Sequence, residues 1–579
     1  MSAAPTALID FIAPVEGAAR ERLAFFDPLA VLQADTLDEV PLVLQRVEAE
    51  ARQGRWCVGF VAYEAAPAFD RAMQAHRPDG RLAWFGVFDR AQPWPAPSPL
   101  RYEPLSWTAG IDRTGFDRAI ARIHAAIADG EVYQINFTAP WRSPFSGEPL
   151  ALFQALLRAQ PDGYAAYLDT GTQQVLSVSP ELFFDWRDDR LLSRPMKGTA
   201  AREADPQADA RRAEHLRTSE KERAENLMIV DLIRNDLSRV AQPHSVQVPR
   251  LFHIQALPTV WQMTSDVVAR TRAGVGLVDI FQALFPCGSV TGAPKLRAMH
   301  WIGQLEAGPR GVYCGAVGVV RPGGSATFNV PIRTVSLQAG QARCGIGSGI
   351  TADADAAGEW AEWRSKQAFL VRAQSAFELL ETMRLEAGHV VHRDEHLARM
   401  ATAARHFGFT WQPQAAAQAL DRLVATHPAG LWRVRLLAGA DGSCRAEAFA
   451  LHDVVPPVRV RLAERPFQAA GSEFVRFKTT RRAHYDALAP TDPAVFDTLL
   501  WNEAGELTEF TRGNVAVKLH GRWVTPPLSC GLLGGIGRAM ALRDGRLVEQ
   551  VVHRDELPQA QGLAFLNSLR GWLAAELLP

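Results

Sequence analysis

The hydrophobic positions of this chain switch repeatedly between two rhythms. WCVGFVA (Trp56–Ala62) and the stretch Trp84–Phe88 are short apolar runs that predict buried strands, and a helical pattern near Leu37–Ala51 precedes them in a β-rich opening. Phe116, Ile120, Ile123 and Ile127 recur at helical spacing and stop at Asp129-Gly130, which predicts an amphipathic helix with a glycine stop. The strand-like VYQINFT follows at once. Segments rich in Ala, Glu and Arg predict a long helix from about Ala208 to Leu237 and a second from about Ala357 to Ala373, with short glycine-punctuated strands between them. QPWPAPSP (Gln92–Pro99) cannot continue a helix or a central strand, because proline lacks the amide proton and fixes φ, so it is expected to be a connector. Near Gln374 the pattern changes: FELLETMRLEAGHVVHRDEHLARM reads strand, turn, strand, helix, and a domain boundary is expected there. No repeat of about 20–50 residues is visible, which argues against a solenoid or propeller.

Length and composition narrow the picture. At 579 residues the chain has room for two or three folded units. With 47% hydrophobic and 22% charged residues it reads as an ordinary soluble globular protein. A formal net charge of −1 gives no overall reason to bind nucleic acid or an anionic membrane. The six cysteines are scattered, with no C-x-x-C pair, and are expected as free thiols. The N-terminus lacks the basic start and apolar stretch of a signal peptide, and no run of about 18 apolar residues appears, so a cytoplasmic location is expected.

Two pairs of glutamates stand out. Glu222 and Glu225 are three apart on the first long helical segment, Glu359 and Glu362 three apart on the second, and Lys366 follows one turn later. Taken alone, such a pair also serves as a solvated helix face. If the two faces converge, four carboxylates meet in one cleft, and a hard cation such as Mg²⁺ would compensate them. GSVTGAPK lacks the Gly-Lys-Ser/Thr ending of a phosphate loop and GIGSGI lacks the spacing of a dinucleotide turn, so both read better as turns presenting amides to a carboxylate.

GEVYQINFT (Gly130–Thr138), SPELFF (Ser179–Phe184), RPMKGT (Arg194–Thr199), KERAENLMIVDLIRNDL (Lys221–Leu237), GSVTGAPK (Gly288–Lys295), YCGAVG (Tyr313–Gly318), NVPIRT (Asn329–Thr334), GIGSGI (Gly345–Ile350) and EWAEWRSK (Glu359–Lys366) resemble, in order, the blocks of the chorismate-utilising enzymes. That family includes anthranilate synthase, aminodeoxychorismate synthase component I and isochorismate synthase. The resemblance implies that Lys197 attacks the ring at C2 as a nucleophile, as in aminodeoxychorismate synthases, where anthranilate synthases carry a small residue. Lysine is a nucleophile only when neutral. Gln134 takes the place of the lysine that activates water in isochorismate-type enzymes, which points to ammonia as the incoming group. Glu181, sixteen residues before Lys197, is the implied general acid for the departing 4-hydroxyl. By the same resemblance Glu225 and Glu362, with Glu222 and Glu359 close by, hold Mg²⁺ against the ring carboxylate of chorismate. Tyr313, Arg333, Lys366 and the amides around Gly347 take the enolpyruvyl carboxylate, with Thr291 among the substrate contacts. Gln262, in VWQMTS, stands where many members carry a histidine that handles protons. No Gly-x-Cys-x-Gly elbow is present, so a separate glutamine amidotransferase subunit is implied as the ammonia source.

Beyond about residue 375, LETMRLEAGHVVHRDEHLARM, FVRFKTTRRAHYD, NEAGELTEFTRGNVAV, TPPLSCGLLGGIGR and FLNSLRG resemble the fold-type-IV pyridoxal enzymes. These include aminodeoxychorismate lyase, branched-chain aminotransferase and D-amino acid aminotransferase. The Asp-Arg and glycine-rich turn that usually open this family are missing before Phe377. The resemblance implies that Lys478 carries pyridoxal 5'-phosphate, that Glu509 faces the pyridine nitrogen, and that Arg399 with amides near Ile536 and Gly537 grips the phosphate. Thr382 and Arg384 are weaker substrate contacts, and a homodimer through this domain is implied by analogy.

The implied architecture is α+β and α/β: a chorismate-binding domain of two β-sheets flanked by helices over residues 1–372, then a two-subdomain pyridoxal phosphate domain over residues 375–579. Together the halves imply amination of chorismate followed by elimination of pyruvate to give 4-aminobenzoate, a folate precursor. The alternative is an anthranilate synthase component I fused to an aminotransferase of the branched-chain or D-amino-acid type; Lys197 and Gln262 speak against its first half.

Overall fold

The computed structural model describes residues 4–14, 19–95, 102–201, 206–256, 260–373 and 377–578. The chain folds as two compact units, residues 1–375 and 376–579, and the boundary expected near Gln374 falls outside the described residues.

In the first unit, apolar strands build two ten-stranded sheets among the described residues. One contains Ala7–Phe11, Glu21–Phe25, Tyr164–Asp169 and Gln174–Ser179; the other contains Trp56–Val61 and Ala83–Phe88. Their inner faces meet where Ala7, Ile9 and Phe11 pack with Val58, Phe60 and Val317 in one buried cluster. Helices Glu39–Arg52, Glu220–Ser238 and Leu277–Leu284 cover the outside of the second sheet. Arg113–Ala128, Pro149–Ala159 and Ala356–Lys366 cover the outside of the first. The order of layers is therefore helix, sheet, sheet, helix. Near one end of the first sheet, Gln134–Pro144 runs between Gly292–Ala293 and Gln341–Ile350, and Met196–Ala201 ends the second sheet beside Val260–Arg270.

Helix Arg113–Ala128 starts where the Asp112 carboxylate accepts the Gly115 amide and stops before Gly130, whose φ of +73° suits a residue without a side chain. The two long helices of the sequence pattern are both broken. The first is Pro206–Thr218 followed by Glu220–Ser238, because Ser219 leaves helical geometry and its hydroxyl caps the second helix by accepting from the Glu222 amide. The second is Ala356–Lys366 followed by the short Ala368–Arg372, with Gln367 at the junction. Of the proline-rich connector, Gln92–Pro93 forms a two-residue edge strand against Leu23–Ala24, where a missing amide is tolerated. Ala96–Pro99 lie outside the described residues.

The second unit has two parts. A four-stranded antiparallel sheet centred on Leu379–Glu386 and Leu431–Ala438 packs with helices Arg393–Phe407 and Pro413–Thr426. The remaining strands form a mixed eight-stranded sheet, in which Leu507–Phe510 pairs with both Asp497–Trp501 and Gly513–Leu519, so that six strands close into a ring around a core containing Leu499, Phe510, Val515 and Phe565. No helix among the described residues is long and apolar enough to cross a membrane.

Phe281 carries much of the packing beneath the second sheet. Its ring meets those of Phe69, Phe183, Phe184, Phe285 and Phe328 and is fully buried. Phe281→Ala is expected to destabilise the first unit by about 3–5 kcal/mol, seen as a shift of its urea transition. A loss below about 1 kcal/mol would mean that the cavity collapses freely.

Candidate active sites

The first site forms at the matching ends of the two sheets. Gln134 begins its strand and is 1% exposed, and its Oε1 has no hydrogen-bond partner among the described residues. Directly beside it runs Gly349, where a Cβ would overlap Gln134 Nε2 and stand 2.8 Å from Lys197 Nζ. Bare backbone at Gly349 thus lets an amide from one sheet and an amine from the other meet. Glu181, immediately before the strand Leu182–Arg187, is 3% exposed, and its Oε1 is likewise unpartnered. Burial pushes its carboxyl up to about 7, although the Ser289 hydroxyl, the charge of Lys197 and the Met196 amide favour the ionised form.

Lys197 sits in a bulge. Met196 opposes Thr264 and Thr199 opposes Gln262, so three steps on one strand face two on the other. Gly198, inside the bulge, has a φ of +81°, and a Cβ there would lie 2.7 Å from Glu222 Oε2.

The four glutamates lie close enough to feel one another's charge. Burial raises Glu222, Glu225 and Glu359, each also feels the negative charge of Glu362, and the positive charge of Lys221 offsets part of this. For Glu362 burial also works against the charge, but Lys366, in an ion pair at 2.7 Å, outweighs it and holds the carboxyl below its ordinary value. Glu359 accepts from Ser348 Oγ at 2.5 Å, and the Trp363 indole donates to the same hydroxyl at 2.9 Å. The expected metal set Glu222, Glu225, Glu359 and Glu362 is nevertheless not closed: among the described residues no three His, Cys, Asp or Glu side chains are grouped so as to hold a metal ion. By charge and donor type the set suits a hard divalent cation.

The expected carboxylate grip is only partly assembled. Lys366 Nζ donates to the Gly347 carbonyl at 2.9 Å, and the buried Tyr313 ring packs over Gly345. Arg333 is turned instead to the end of helix Pro149–Ala159, where it donates to Gln160 Oε1; burial and nearby Arg372 lower it to about 10. Thr291 Oγ1 donates back to the Cys287 and Gly288 carbonyls within its own turn, so its hydroxyl does not reach outward. Ser289, which the sequence reading passed over within GSVTGAPK, is the member of that turn that reaches Glu181.

In the second site, Lys478 is fixed through its backbone, because the Leu380 amide donates to its carbonyl at 3.1 Å and Leu379 bridges Thr479. Burial and the neighbouring cations Arg482 and Arg399 lower its amine to about 7, against the pull of Glu381 and Glu509. Glu509 is 3% exposed on the strand Leu507–Phe510; Tyr485 Oη donates to its Oε1 at 2.6 Å and the Leu533 amide at 3.1 Å. Burial pushes Glu509 up to about 7.

Arg399 forms two parallel bonds to Glu381, at 2.8 and 2.6 Å, and donates to the Gly534 carbonyl at 2.9 Å. His396 Nδ1 lies 2.6 Å from the same carboxylate; burial opposes the charge of Glu381, but Arg399 and His396 hold it down at about 2. The Gly534 bond brings Arg399 to the start of helix Ile536–Arg543, where Gly535 and Gly537 allow close approach of Asn514 and Asn567. Arg399 thus reaches the residue two before Ile536 with its fork held by Glu381, and a guanidinium near a helix start suits a phosphate by charge and donor type. Lys478 and Glu509 complete a donor set that fits pyridoxal phosphate. Thr382 and Arg384 are not in this group: strand alternation puts them on the opposite face from Glu381, and Arg384 pairs with Glu386 at 2.9 Å.

Residues 10–372 match the model of the chorismate binding enzyme family, and residues 378–577 match that of amino-transferase class IV, a pyridoxal phosphate fold. The chain is 39% identical over 285 residues to aminodeoxychorismate synthase component 1 of Klebsiella aerogenes, covering 49% of this chain and 62% of that protein. It is 36% identical over 283 residues to anthranilate synthase component 1 of Streptomyces coelicolor, covering 49% of this chain and 55% of that one. The chain thus spans about three fifths or less of the length of these curated relatives. The crystal structure of anthranilate synthase component I from Streptococcus pneumoniae superposes with a TM-score of 0.52 at 23% identity, covering 64% of this chain and 91% of that chain, which shows a shared fold.

The buried Glu181 carboxyl makes a pH prediction. Its folded value of about 7 lies above the ordinary 4.5, so ionisation destabilises the fold increasingly as pH rises from about 4.5 to 7, and fully above that. Glu181→Gln is expected to raise the melting temperature at about pH 8, with the gain fading as pH falls through this window. A gain undiminished below pH 4.5 would contradict burial as its cause.

Proposed function

This chain belongs to the chorismate binding enzyme family and carries an amino-transferase class IV domain after it, and from that premise we propose that it converts chorismate to 4-aminobenzoate in two steps. The first unit exchanges the 4-hydroxyl of chorismate for an amine, releasing water. The second removes pyruvate from the aminodeoxychorismate so formed, leaving an aromatic ring.

The observation that carries the first step is the meeting of Lys197 Nζ with Gln134 at Gly349, in a site that also contains the protonatable Glu181. The Lys197 amine attacks ring carbon C2 while Glu181 gives its proton to the departing 4-hydroxyl. Ammonia then bonds at C4 and the bond to Lys197 breaks, which restores the free amine. Gln134 is an amide that neither gives nor takes a proton, so it activates no competing water. Glu222, Glu225, Glu359 and Glu362 are the residues that would hold Mg²⁺, which would neutralise the ring carboxylate. Ammonia comes from a separate glutamine amidotransferase subunit.

In the second step Lys478, as a neutral amine, takes the proton from the amine-bearing carbon. Its lowered value of about 7 suits an acid–base role at neutral pH. Arg399 and the amides of Ile536 and Gly537 would hold the phosphate of pyridoxal phosphate, and Glu509, braced by Tyr485, would face its pyridine nitrogen. When bound, that cofactor supplies an electron sink for the electrons of the broken C–H bond. Two copies of the chain pair through this unit.

Chorismate, Mg²⁺ and an ammonium salt are expected to give 4-aminobenzoate and pyruvate, identified by mass; 2-aminobenzoate would overturn the proposal. Lys197→Ala should lose most aminodeoxychorismate formation yet still convert supplied aminodeoxychorismate, and equal loss of both steps would contradict separate sites. Glu181→Gln should slow the first step by about 10²–10⁴-fold. Lys478→Ala should accumulate aminodeoxychorismate and abolish the visible absorption band that pyridoxal phosphate gives with the native chain.

A further inference from the structure

The strand Val260–Arg270 borders the Lys197 bulge and contributes one side chain to it. Gln262 is 4% exposed and spends both ends of its amide there. Its Nε2 donates to the Gly198 carbonyl at 2.7 Å, and its Oε1 accepts from Thr199 Oγ1 at 2.9 Å. These are the two residues that follow Lys197. The backbone they belong to needs such a restraint, because the bulge interrupts the ladder between Met196 and Thr199 and contains a glycine in the left-handed region. Three residues on, Ser265 accepts from the Phe252 amide at 3.1 Å and donates to Asn226 Oδ1 at 2.6 Å, tying the same strand to the helix that carries Glu222 and Glu225. One strand therefore sets the lysine bulge and the glutamate helix relative to each other.

We propose that Gln262 is a positioning residue that clamps Gly198 and Thr199 and so aims the Lys197 amine at the ring, a role that rests on the reading of Lys197 as the nucleophile. Acting on one backbone carbonyl and one side-chain hydroxyl just beyond Lys197, Gln262 sets where the amine points and does not itself meet the substrate. Its amide offers one hydrogen to a carbonyl and one lone pair to a hydroxyl, and a neutral imidazole offers the same complement. A misplacement of the reacting amine of about 1 Å corresponds to roughly 10²-fold in rate.

The test uses the full chain loaded with pyridoxal phosphate and compares Gln262→Met, of similar length but without the amide, with Gln262→His and Thr199→Val. Aminodeoxychorismate formation from chorismate, Mg²⁺ and ammonium salt gives kcat and KM, while the melting temperature and the conversion of supplied aminodeoxychorismate report folding. The expected result for Gln262→Met is a kcat lowered by about 10²-fold with chorismate KM and melting temperature little changed. Gln262→His should recover most of that loss. Adding Thr199→Val to Gln262→Met should cost little more than Gln262→Met alone, because both changes break one clamp. A native kcat in Gln262→Met, or a loss matched by a lower melting temperature and not recovered by histidine, overturns the inference while leaving the proposed function standing. A native chain that forms no aminodeoxychorismate overturns the function and this role with it.

Discussion

The first site depends on gathering like charges in one place, from buried Glu359 to exposed Glu362. Glu222, Glu225, Glu359 and Glu362 face one another from two helices, and Lys197, Lys221 and Lys366 are the cations that make such crowding tolerable. Neither helix could bring them together alone. The helices lie on the outer faces of different sheets, so their carboxylates come near one another, without closing a metal set, only because both sheets end at the same place. Helix placement, the glycine at 349 and the bulge at 197 all serve that meeting.

The second site treats charge in the opposite sense. Around Lys478 burial, and then the cations Arg482 and Arg399, press the amine towards neutrality, while Glu381 is held ionised against burial by Arg399 and His396. Glu509 is kept near neutrality by burial, and its bond from Tyr485 fixes where its oxygens lie. Both sites therefore contain a glutamate raised to about 7 by its surroundings, Glu181 in one and Glu509 in the other. Burial does this in both without any shared sequence motif.

Local rhythm made much of the framework legible. The strands at Trp56 and Trp84 and the helix ending before Gly130 follow directly from runs and spacing, since such signals act over a few residues. The breaks at Ser219 and Gln367 were hidden, because an Ala- and Glu-rich composition carries the helical rhythm across them. The motif residues of the first site were visible, but their orientation was not: Arg333 and Thr291 turn to neighbours that only the folded chain provides. Supporting partners were illegible for the same reason. Ser265 meets Asn226 across 39 positions and Tyr485 meets Glu509 across 24, and no local pattern announces such pairs.

The strand Gln341–Ile350 lies between Gln134–Pro144 and Thr334–Gln338 in its sheet, which bears on how the protein is made. A nascent chain leaving the ribosome has the earlier partner available some 200 residues before the strand that must pair with it. Until then, Gln134–Pro144 has one flank without its neighbour, a state prone to misassembly that chaperones exist to shield. The order of synthesis thus delays assembly of the first candidate site until Lys366 has emerged, and translation pauses before that point would prolong the vulnerable interval.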